Sequence, residues 1–387
     1  MMRLAILFPM VRWGRKLLPS TIVLVLFAAP AFAETAFPAE GLETRVEFWK
    51  QIFTRYGADD IIIHDRFHVN LIYGVATDDT VDARIRSVKQ ALTEIRDTLD
   101  TPEELSDAAS AIYATIVDQG LVPSEALLSD LVDQVHTQRG VKERFRNGVI
   151  RSGRYVDSFR KIMDGNDVPA ECALLPLVES SYENARSSAA AVGVWQFTRA
   201  TGREYLRVSG RVDERLDPVK SAAAAARLLR ENYDKLGSWP LALTAYNHGR
   251  GGMLRAVSEH GPDLTTIISE YRGPVFGYAS MNFYSEFLAA VDVYTNYQQY
   301  FGTLTFDRPG GQPTAKPVVV TATARSPRAV SKATATVSRT KATSYTVRRG
   351  DTLEQIAREL RTNIRSLMAK NRLASPTIYA GQVLLIR

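Results

Sequence analysis

Residues 308–344 divide the chain into regions that must fold separately. The segment consists mostly of Pro, Thr, Ala, Ser and Val, and it carries seven Lys and Arg but no acidic residue. Such a composition cannot bury enough apolar surface to offset the entropy that ordering would cost. We therefore predict a flexible basic linker over 307–344, between a large folded region and a small one.

The N-terminus has the pattern of a secretory signal peptide. Four cations, Arg3, Arg12, Arg15 and Lys16, precede an apolar stretch over residues 22–29 and a small-residue site at 31–33. This order predicts a signal peptide over 1–33, cleaved near Ala33, and an exported, periplasmic protein. A membrane anchor is the alternative, but the apolar stretch is short for about 30 Å of hydrocarbon. No cysteine follows it to carry a lipid.

Cys172 is the only cysteine, so the chain has no internal disulfide. An exported protein without disulfides must be stabilised by packing alone. The apolar neighbours of Cys172 indicate a small buried side chain rather than a nucleophile.

Charge is distributed unevenly along the chain. Residues 34–307 have a net charge of −10, and residues 345–387 have +5. A basic tail on an acidic body indicates contact with an anionic surface, and export favours an envelope polymer over nucleic acid. The alternative is that the linker cations are only solvated by water and contact no partner.

Residues 34–150 have helical periodicity. An apolar stripe at spacings of three and four runs from Val81 to Leu99, and a second apolar face runs from Trp49 to Tyr56. Thr101 and Glu104 have the spacing of a capping box at another helix start. We predict a helical N-terminal region that serves as a scaffold.

Residues 151–306 have the signals of a second helical region. Asp217 and Pro218 start a helix with five alanines at 222–226, and Gly237 ends it. These small residues allow neighbouring helices to approach closely. Ser238 precedes the next helix, which carries Tyr246 and Asn247.

After the linker, the pattern of residues 345–387 predicts a strand, two short helices and a strand.

Glu179 follows the apolar run at 174–178. A free Glu has a pKa near 4.3, so only about one in five hundred is protonated at pH 7. Burial among apolar groups raises that pKa, which is what a general acid for glycosidic cleavage requires. A solvent-facing carboxylate at a helix end is the alternative.

Three ordered motifs carry a resemblance to a known family. They are Glu179-Ser180, Gly193-Val194-Trp195-Gln196 and Ala245-Tyr246-Asn247-His248-Gly249. In this order the chain resembles the lytic transglycosylases of the bacterial cell wall, which have a goose-lysozyme-like helical fold. The Trp195-Gln196-Phe197 version is similar to the membrane-bound lytic murein transglycosylase D type.

The resemblance implies a mechanism with one carboxyl group and no cofactor. Glu179 would protonate the glycosidic oxygen and then, as a carboxylate, take the proton of the muramyl C6 hydroxyl to give a 1,6-anhydro sugar. Tyr246 would orient Glu179 by a hydrogen bond, and Gln196 would contact the sugar. Ser187 or Ser188 would lie near the acetamido group, and Asn247 would be a loop or sugar contact.

Some polar residues allow more than one interpretation. Tyr278 and Asn282 could line the glycan groove or belong to the core. Glu183 is the rival acid, but its neighbours are not apolar. His64 and His68 lie four apart without further ligands, so no metal site is predicted.

The C-terminal 43 residues resemble a LysM module, through Tyr345-Thr346-Val347, Gly350-Asp351-Thr352-Leu353 and Gly381-Gln382-Val383-Leu384. Such modules bind chains of N-acetylglucosamine in a shallow groove. The resemblance places glycan contacts at Gly350, Asp351, Thr352, Leu353, Ile378 and Tyr379. A tethered weak binder would hold an enzyme on an insoluble polymer.

Together these features predict a mainly α protein: a helical scaffold over 34–150, a lysozyme-like catalytic domain over 151–306, a linker and a small βααβ LysM domain. The expected partner is peptidoglycan, with no nucleic acid and the membrane only as a peripheral surface. A hydrolytic muramidase and a non-catalytic wall-binding protein remain alternatives. The sequence does not indicate protein partners.

Overall fold

Helices dominate the fold, as the sequence predicts. The structure is a computed structural model that describes residues 36–187, 190–310, 344–347, 352–359, 362, 364–371 and 383–385. The predicted signal peptide and most of the predicted linker lie outside the described residues.

The N-terminal region combines four helices with a small sheet. The helices are α1 (Glu43–Thr54), α2 (Val81–Asp97), α3 (Asp107–Asp118) and α4 (Glu125–Asp133). The strands are β1 (Ile61–Asp65), β2 (Ile72–Ala76) and β3 (Val135–Arg139), all antiparallel in the order β2-β1-β3. An apolar cluster joins α2, α3 and α4 to β1 and β2.

The sheet is an addition to the predicted helical region that the helical periodicity did not indicate. Every residue of β1 is buried, so the strand lacks the alternation of apolar and polar residues that marks a half-exposed strand. Thr101 also differs from its prediction. Residues Pro102–Glu104 form a single 3₁₀ turn, and α3 begins later, with the Ser106 hydroxyl accepting from the Ala109 amide.

The longer elements that the structure describes in the second region are all helices. Its elements are α5 (Lys142–Ser152), α6 (Val156–Asp164), α7 (Pro176–Glu179), α8 (Arg199–Tyr205), α9 (Pro218–Leu236), α10 (Trp239–His248), α11 (Arg250–His260), α12 (Leu264–Glu270), α13 (Tyr278–Thr295) and α14 (Tyr297–Phe301). One apolar core unites most of these helices and includes α1. Because α1 packs along α13, the two regions share this core.

Helix α9 begins and ends where the sequence predicts. The Asp217 carboxylate accepts from the backbone amides of Val219 and Lys220, and Gly237 ends the helix with a φ of +80°. Four of the five central alanines are buried, and only Ala223 is exposed. The helix packs against α6 and α10 along this small-residue face.

Polar side chains hold α13 against the N-terminal region. The Arg45 guanidinium donates to Asn282 Oδ1 at 2.9 Å and to the Phe67 carbonyl at 2.6 Å. The Tyr278 hydroxyl lies 3.2 Å from His64 Nε2 on β1. Burial lowers the pKa of His64 to about 3, so this imidazole is neutral.

The C-terminal segment forms the predicted βααβ unit. It contains β4 (Ser344–Thr346), α15 (Leu353–Glu359), α16 (Ile364–Lys370) and β5 (Val383–Leu385), with β4 and β5 antiparallel. Its small apolar core consists of Val347, Leu353, Ile356, Ala357, Leu367 and Leu384.

Two further sequence features can be compared with the structure. Cys172 is fully buried, and burial raises the pKa of its thiol, which confirms the packing role. Among the described residues, no helix combines the length and apolarity needed to cross a membrane.

The alanine face of α9 makes a stability prediction. Ala225→Leu should destabilise the protein by about 1–3 kcal/mol, because the added methyl groups have no space between α9 and its neighbours. Ala223→Leu on the exposed face should change stability by less than about 0.5 kcal/mol. Urea unfolding followed by circular dichroism compares the two, and equal effects would contradict the tight packing.

Candidate active site

Glu179 lies at the C-terminal end of the four-residue helix α7. Pro176 and Leu177 of this helix are buried, and the Glu179 side chain is half-buried. Burial raises its pKa to about 8. No hydrogen bond or ion pair joins its carboxyl group to another described residue, which leaves the group available to a ligand.

The turn after Glu179 connects it to the second motif. Ser180 is buried, and its hydroxyl donates to the Val194 carbonyl at 2.7 Å. Ser181 and Tyr182 have φ values of +52° and +57°, a conformation that non-glycine residues adopt rarely. The Tyr182 hydroxyl stabilises this strained turn by donating to the Ala173 carbonyl at 2.6 Å.

Gly193 explains why the second motif begins with glycine. Its φ is +87°, and a Cβ at this position would lie 1.9 Å from the Arg215 carbonyl oxygen. Arg215 is itself buried and pairs with Asp213 at 2.8 Å. Only glycine allows the loop to approach this backbone so closely.

Tyr246 on α10 connects the third motif to the same loop. Its hydroxyl donates to the Trp195 carbonyl at 2.8 Å, not to Glu179, with which no hydrogen bond is found. Burial raises the pKa of Tyr246 well above its usual value, and a negative charge on Glu179 raises it further. The carbonyls of Val194 and Trp195 thus bring all three motifs together.

The other polar residues of the motifs mainly support the loop. Gln196 Nε2 donates to the carbonyls of Gly193 at 2.6 Å and Ala185 at 3.2 Å, and no described residue occupies its Oε1. The Ser187 hydroxyl accepts from the Ala191 amide at 3.1 Å, and Ser188 lies outside the described residues. Asn247 is exposed, and its Oδ1 accepts from the Ser280 hydroxyl at 2.9 Å.

Tyr278 and Asn282 both contribute to the contacts between α13 and the N-terminal region. Asn282 is 0% exposed and is bound by Arg45, so a glycan cannot reach it in this structure. The Tyr278 hydroxyl faces His64, and its ring lies 4.1 Å from that of His136. The burial of Asn282 favours the core interpretation for that residue, whereas a glycan contact of the half-buried Tyr278 stays a prediction.

Glu286 is a second carboxyl group near Glu179 that the sequence reasoning missed. It lies on α13, which packs against α7, and its side chain is half-buried without a hydrogen bond to a described residue. One turn earlier, the Phe283 ring is nearly parallel to that of Tyr246, with 6.5 Å between centroids. Burial, together with the charge of Glu179, raises the pKa of Glu286 to about 8. The sequence signal for Glu286 was that it is the single acidic residue within the mostly apolar segment 283–291.

Other candidate groups have simpler roles. Glu183, the rival acid, forms an ion pair with Arg151 at 3.0 Å. His64 lies on β1 and His68 follows that strand, so the two do not share a helix face. No group of three His, Cys, Asp or Glu side chains with metal-binding geometry occurs in the described part of the chain.

Comparison with known proteins agrees with this geometry. Residues 158–266, which include Glu179, Gln196 and Tyr246, match the family described as Transglycosylase SLT domain. This part of the chain is an SLT domain. Residues 345–387 match the LysM domain, so a LysM domain follows the SLT domain after the predicted linker.

The curated relatives are similar over part of their length. Membrane-bound lytic murein transglycosylase D of Escherichia coli (strain K12) is 39% identical over 95 residues, which are 24% of this chain and 21% of the relative. A protein of Alteromonas sp. (strain M-1) named for tributyltin chloride resistance is 34% identical over 99 residues, 25% of this chain and 48% of the relative. The chain thus spans less than half the length of these relatives.

In the LysM domain, the structure describes two of the six expected glycan contacts. Thr352 is exposed, and Leu353 is buried in the small core. Gly350, Asp351, Ile378 and Tyr379 lie outside the described residues.

Glu179 makes stability depend on pH. In the unfolded chain it ionises near pH 4.3, whereas the folded pKa is about 8, so folding becomes less favourable as pH rises between these values. Glu179→Gln should therefore stabilise the protein by about 2–4 kcal/mol at pH 8 and by little at pH 4.5. Thermal unfolding at both pH values measures this difference.

Glu183→Gln is the matched control for this measurement. It removes the partner of the half-buried Arg151, so it should destabilise the protein at pH 8. A Glu179→Gln protein that loses stability at pH 8 would show that the carboxyl group is not desolvated.

Proposed function

We propose that the protein is a peptidoglycan lytic transglycosylase. It cleaves the β-1,4 bond between N-acetylmuramic acid and N-acetylglucosamine and forms a 1,6-anhydromuramyl product. The observation that carries this proposal is the half-buried Glu179, with its raised pKa, inside an SLT domain. The similarity to lytic murein transglycosylase D over this region supports it.

In the proposed reaction Glu179 acts twice. With a pKa of about 8 it is mostly protonated at pH 7, so it can donate its proton to the glycosidic oxygen as the bond breaks. The resulting carboxylate then accepts the proton of the C6 hydroxyl as that oxygen bonds to C1. The same group returns to its protonated form, so one carboxyl group completes the cycle.

The surrounding residues would hold the acid and the sugar in place. Ser180 and Tyr246 fix the loop at residues 193–196 against α7 and α10 through its carbonyls. We assign sugar contacts to the free Oε1 of Gln196, to Ser187 or Ser188, and to Asn247. Because the Tyr246 hydroxyl donates its proton to the Trp195 carbonyl, it would orient Glu179 by accepting from the protonated carboxyl group.

A hydrolytic muramidase is the second candidate, and Glu286 is the observation that favours it. Inverting glycosidases activate water with a second carboxylate as general base. Such a base must be ionised, whereas burial keeps Glu286 mostly protonated at pH 7. We therefore favour transglycosylation, which needs no activated water.

The LysM domain would supply binding to the same polymer. We propose that it binds the glycan strand and keeps the SLT domain near its substrate, in the periplasm of an exported protein whose signal peptide covers 1–33. The cations of residues 308–344 would add a weak attraction to anionic wall polymer.

Glu179→Gln should reduce release of muropeptides from purified sacculi by at least about 10³-fold while leaving sacculus binding intact, because only the acid is lost. Mass spectrometry of the wild-type products should find anhydro ends, lighter by one water than hydrolytic ends. Glu183→Gln is the control and should retain most activity. Retained activity in Glu179→Gln would contradict the proposed acid, and hydrolytic ends would favour the muramidase.

Two truncations separate the LysM domain from the basic linker. A chain ending at residue 307 and a chain ending at 344 should both bind sacculi about tenfold or more weakly than the full chain, while cleavage of short soluble glycans changes little. Cosedimentation measures the binding. If the chain ending at 344 binds like the full chain, the linker and not the LysM domain is the anchor.

A further inference from the structure

A cavity of about 740 Å³ has neither Glu179 nor Tyr246 in its walls. Its walls come from the start of α1, the residues after β1, helices α4 and α12, and the chain between α12 and α13. It therefore lies where the N-terminal region meets α12, α13 and the chain between these two helices. Its volume is in the range of small-molecule and peptide sites.

Three arginines line this cavity: Arg45, Arg66 and Arg272. None of them forms an ion pair among the residues that the structure describes. Arg45 is only 9% exposed and donates to neutral oxygens of Asn282 and Phe67. Arg272 donates to the carbonyls of Ser269 and Tyr271 and lies over the Phe67 ring at 4.7 Å.

The acidic groups of the cavity do not balance these charges. Asp65 is 1% exposed, and its Oδ1 accepts from the amides of Phe67 and His68 at 2.8 and 2.6 Å. Asp130 is exposed. Three guanidinium groups thus face two carboxylates, one of which is already engaged by backbone donors.

Two buried polar atoms of the cavity residues also lack partners. Arg66 Nε is a free donor, and Asp65 Oδ2 is a free acceptor, within the described part of the protein. Buried polar atoms are almost always hydrogen-bonded. The unpaired Arg66 donor and the unpaired Asp65 acceptor therefore indicate a ligand that supplies an acceptor to the first and a donor to the second.

We propose that this cavity binds the carboxylate groups of a short acidic peptide. Arg66 and Arg272 match carboxylates because a guanidinium donates two parallel hydrogen bonds to such a group. Asp65 Oδ2 accepts from an amide or ammonium group of the same ligand. The choice of peptide rests on the proposed function, since wall glycan carries short peptides with several carboxylates. A small inorganic anion would leave most of the cavity empty.

The test measures binding of a free wall peptide, without glycan, to the full-length protein by calorimetry. The double variant Arg66→Gln/Arg272→Gln should bind about tenfold or more weakly than wild type, because two charge-assisted contacts are lost. Arg86→Gln is the matched control, since Arg86 is an exposed arginine on α2 outside the cavity, and it should bind like wild type. If the double variant does not fold, the exposed Arg272→Gln alone should weaken binding about threefold or more.

Several results would overturn the proposal. They are no binding to wild type, equal binding by the arginine variants, equal binding of a peptide whose carboxylates are amidated, and equal competition by inorganic phosphate. The measurement requires no turnover, so Glu179→Gln should bind the peptide like wild type. If the wild-type protein binds the peptide but cleaves no glycan, the result contradicts the proposed function and leaves the proposed peptide site intact.

Discussion

The desolvation of one carboxyl group is the constraint on which this structure depends. A buried Glu is unfavourable unless it is neutral, and the raised pKa of Glu179 records that cost. The surrounding structure offsets it with an apolar core that extends from α1 to α13. It also uses backbone carbonyls as fixed acceptors, so Ser180 and Tyr246 brace the loop while the carboxyl group of Glu179 remains without a partner. An acid that already had a protein partner would be less available to a glycosidic oxygen.

The sequence predicted those parts of the molecule whose signals are local. The capping aspartate, the alanine run and the terminal glycine gave the limits of α9, and motif order identified the region that matches the SLT family. The N-terminal sheet was missed because β1 is buried on both faces and β3 consists largely of half-buried polar residues, so neither strand alternates. Asn282 is bound by Arg45, and Tyr278 contacts His64. Each partner lies more than two hundred residues earlier in the chain, and the spacing of residues within one segment cannot predict so distant a contact.

These long-range contacts give the N-terminal region a role beyond that of a general scaffold. Helix α13 carries Glu286 and Phe283 toward the site while its other polar side chains bind Arg45 and His64. The helix position, and with it the second carboxyl group, is therefore fixed from the N-terminal side. The same junction forms the arginine-lined cavity, because Arg45 and Arg66 come from the N-terminal region and Arg272 comes from the chain before α13.

The pair of carboxyl groups also bears on which product the site can form. Each group is desolvated, and ionisation of one opposes ionisation of the other, so the pair does not carry two charges near neutral pH. Hydrolysis with a separate base requires one protonated and one ionised carboxyl group at the same moment. In the proposed reaction the only carboxylate arises when Glu179 has given its proton away, next to the atoms that need a base. Burial and this charge together hold the pKa of Glu286 at about 8, so Glu286 stays mostly neutral and is a poor activator of water. The electrostatics of the pair thus disfavour hydrolysis in which Glu286 is the base.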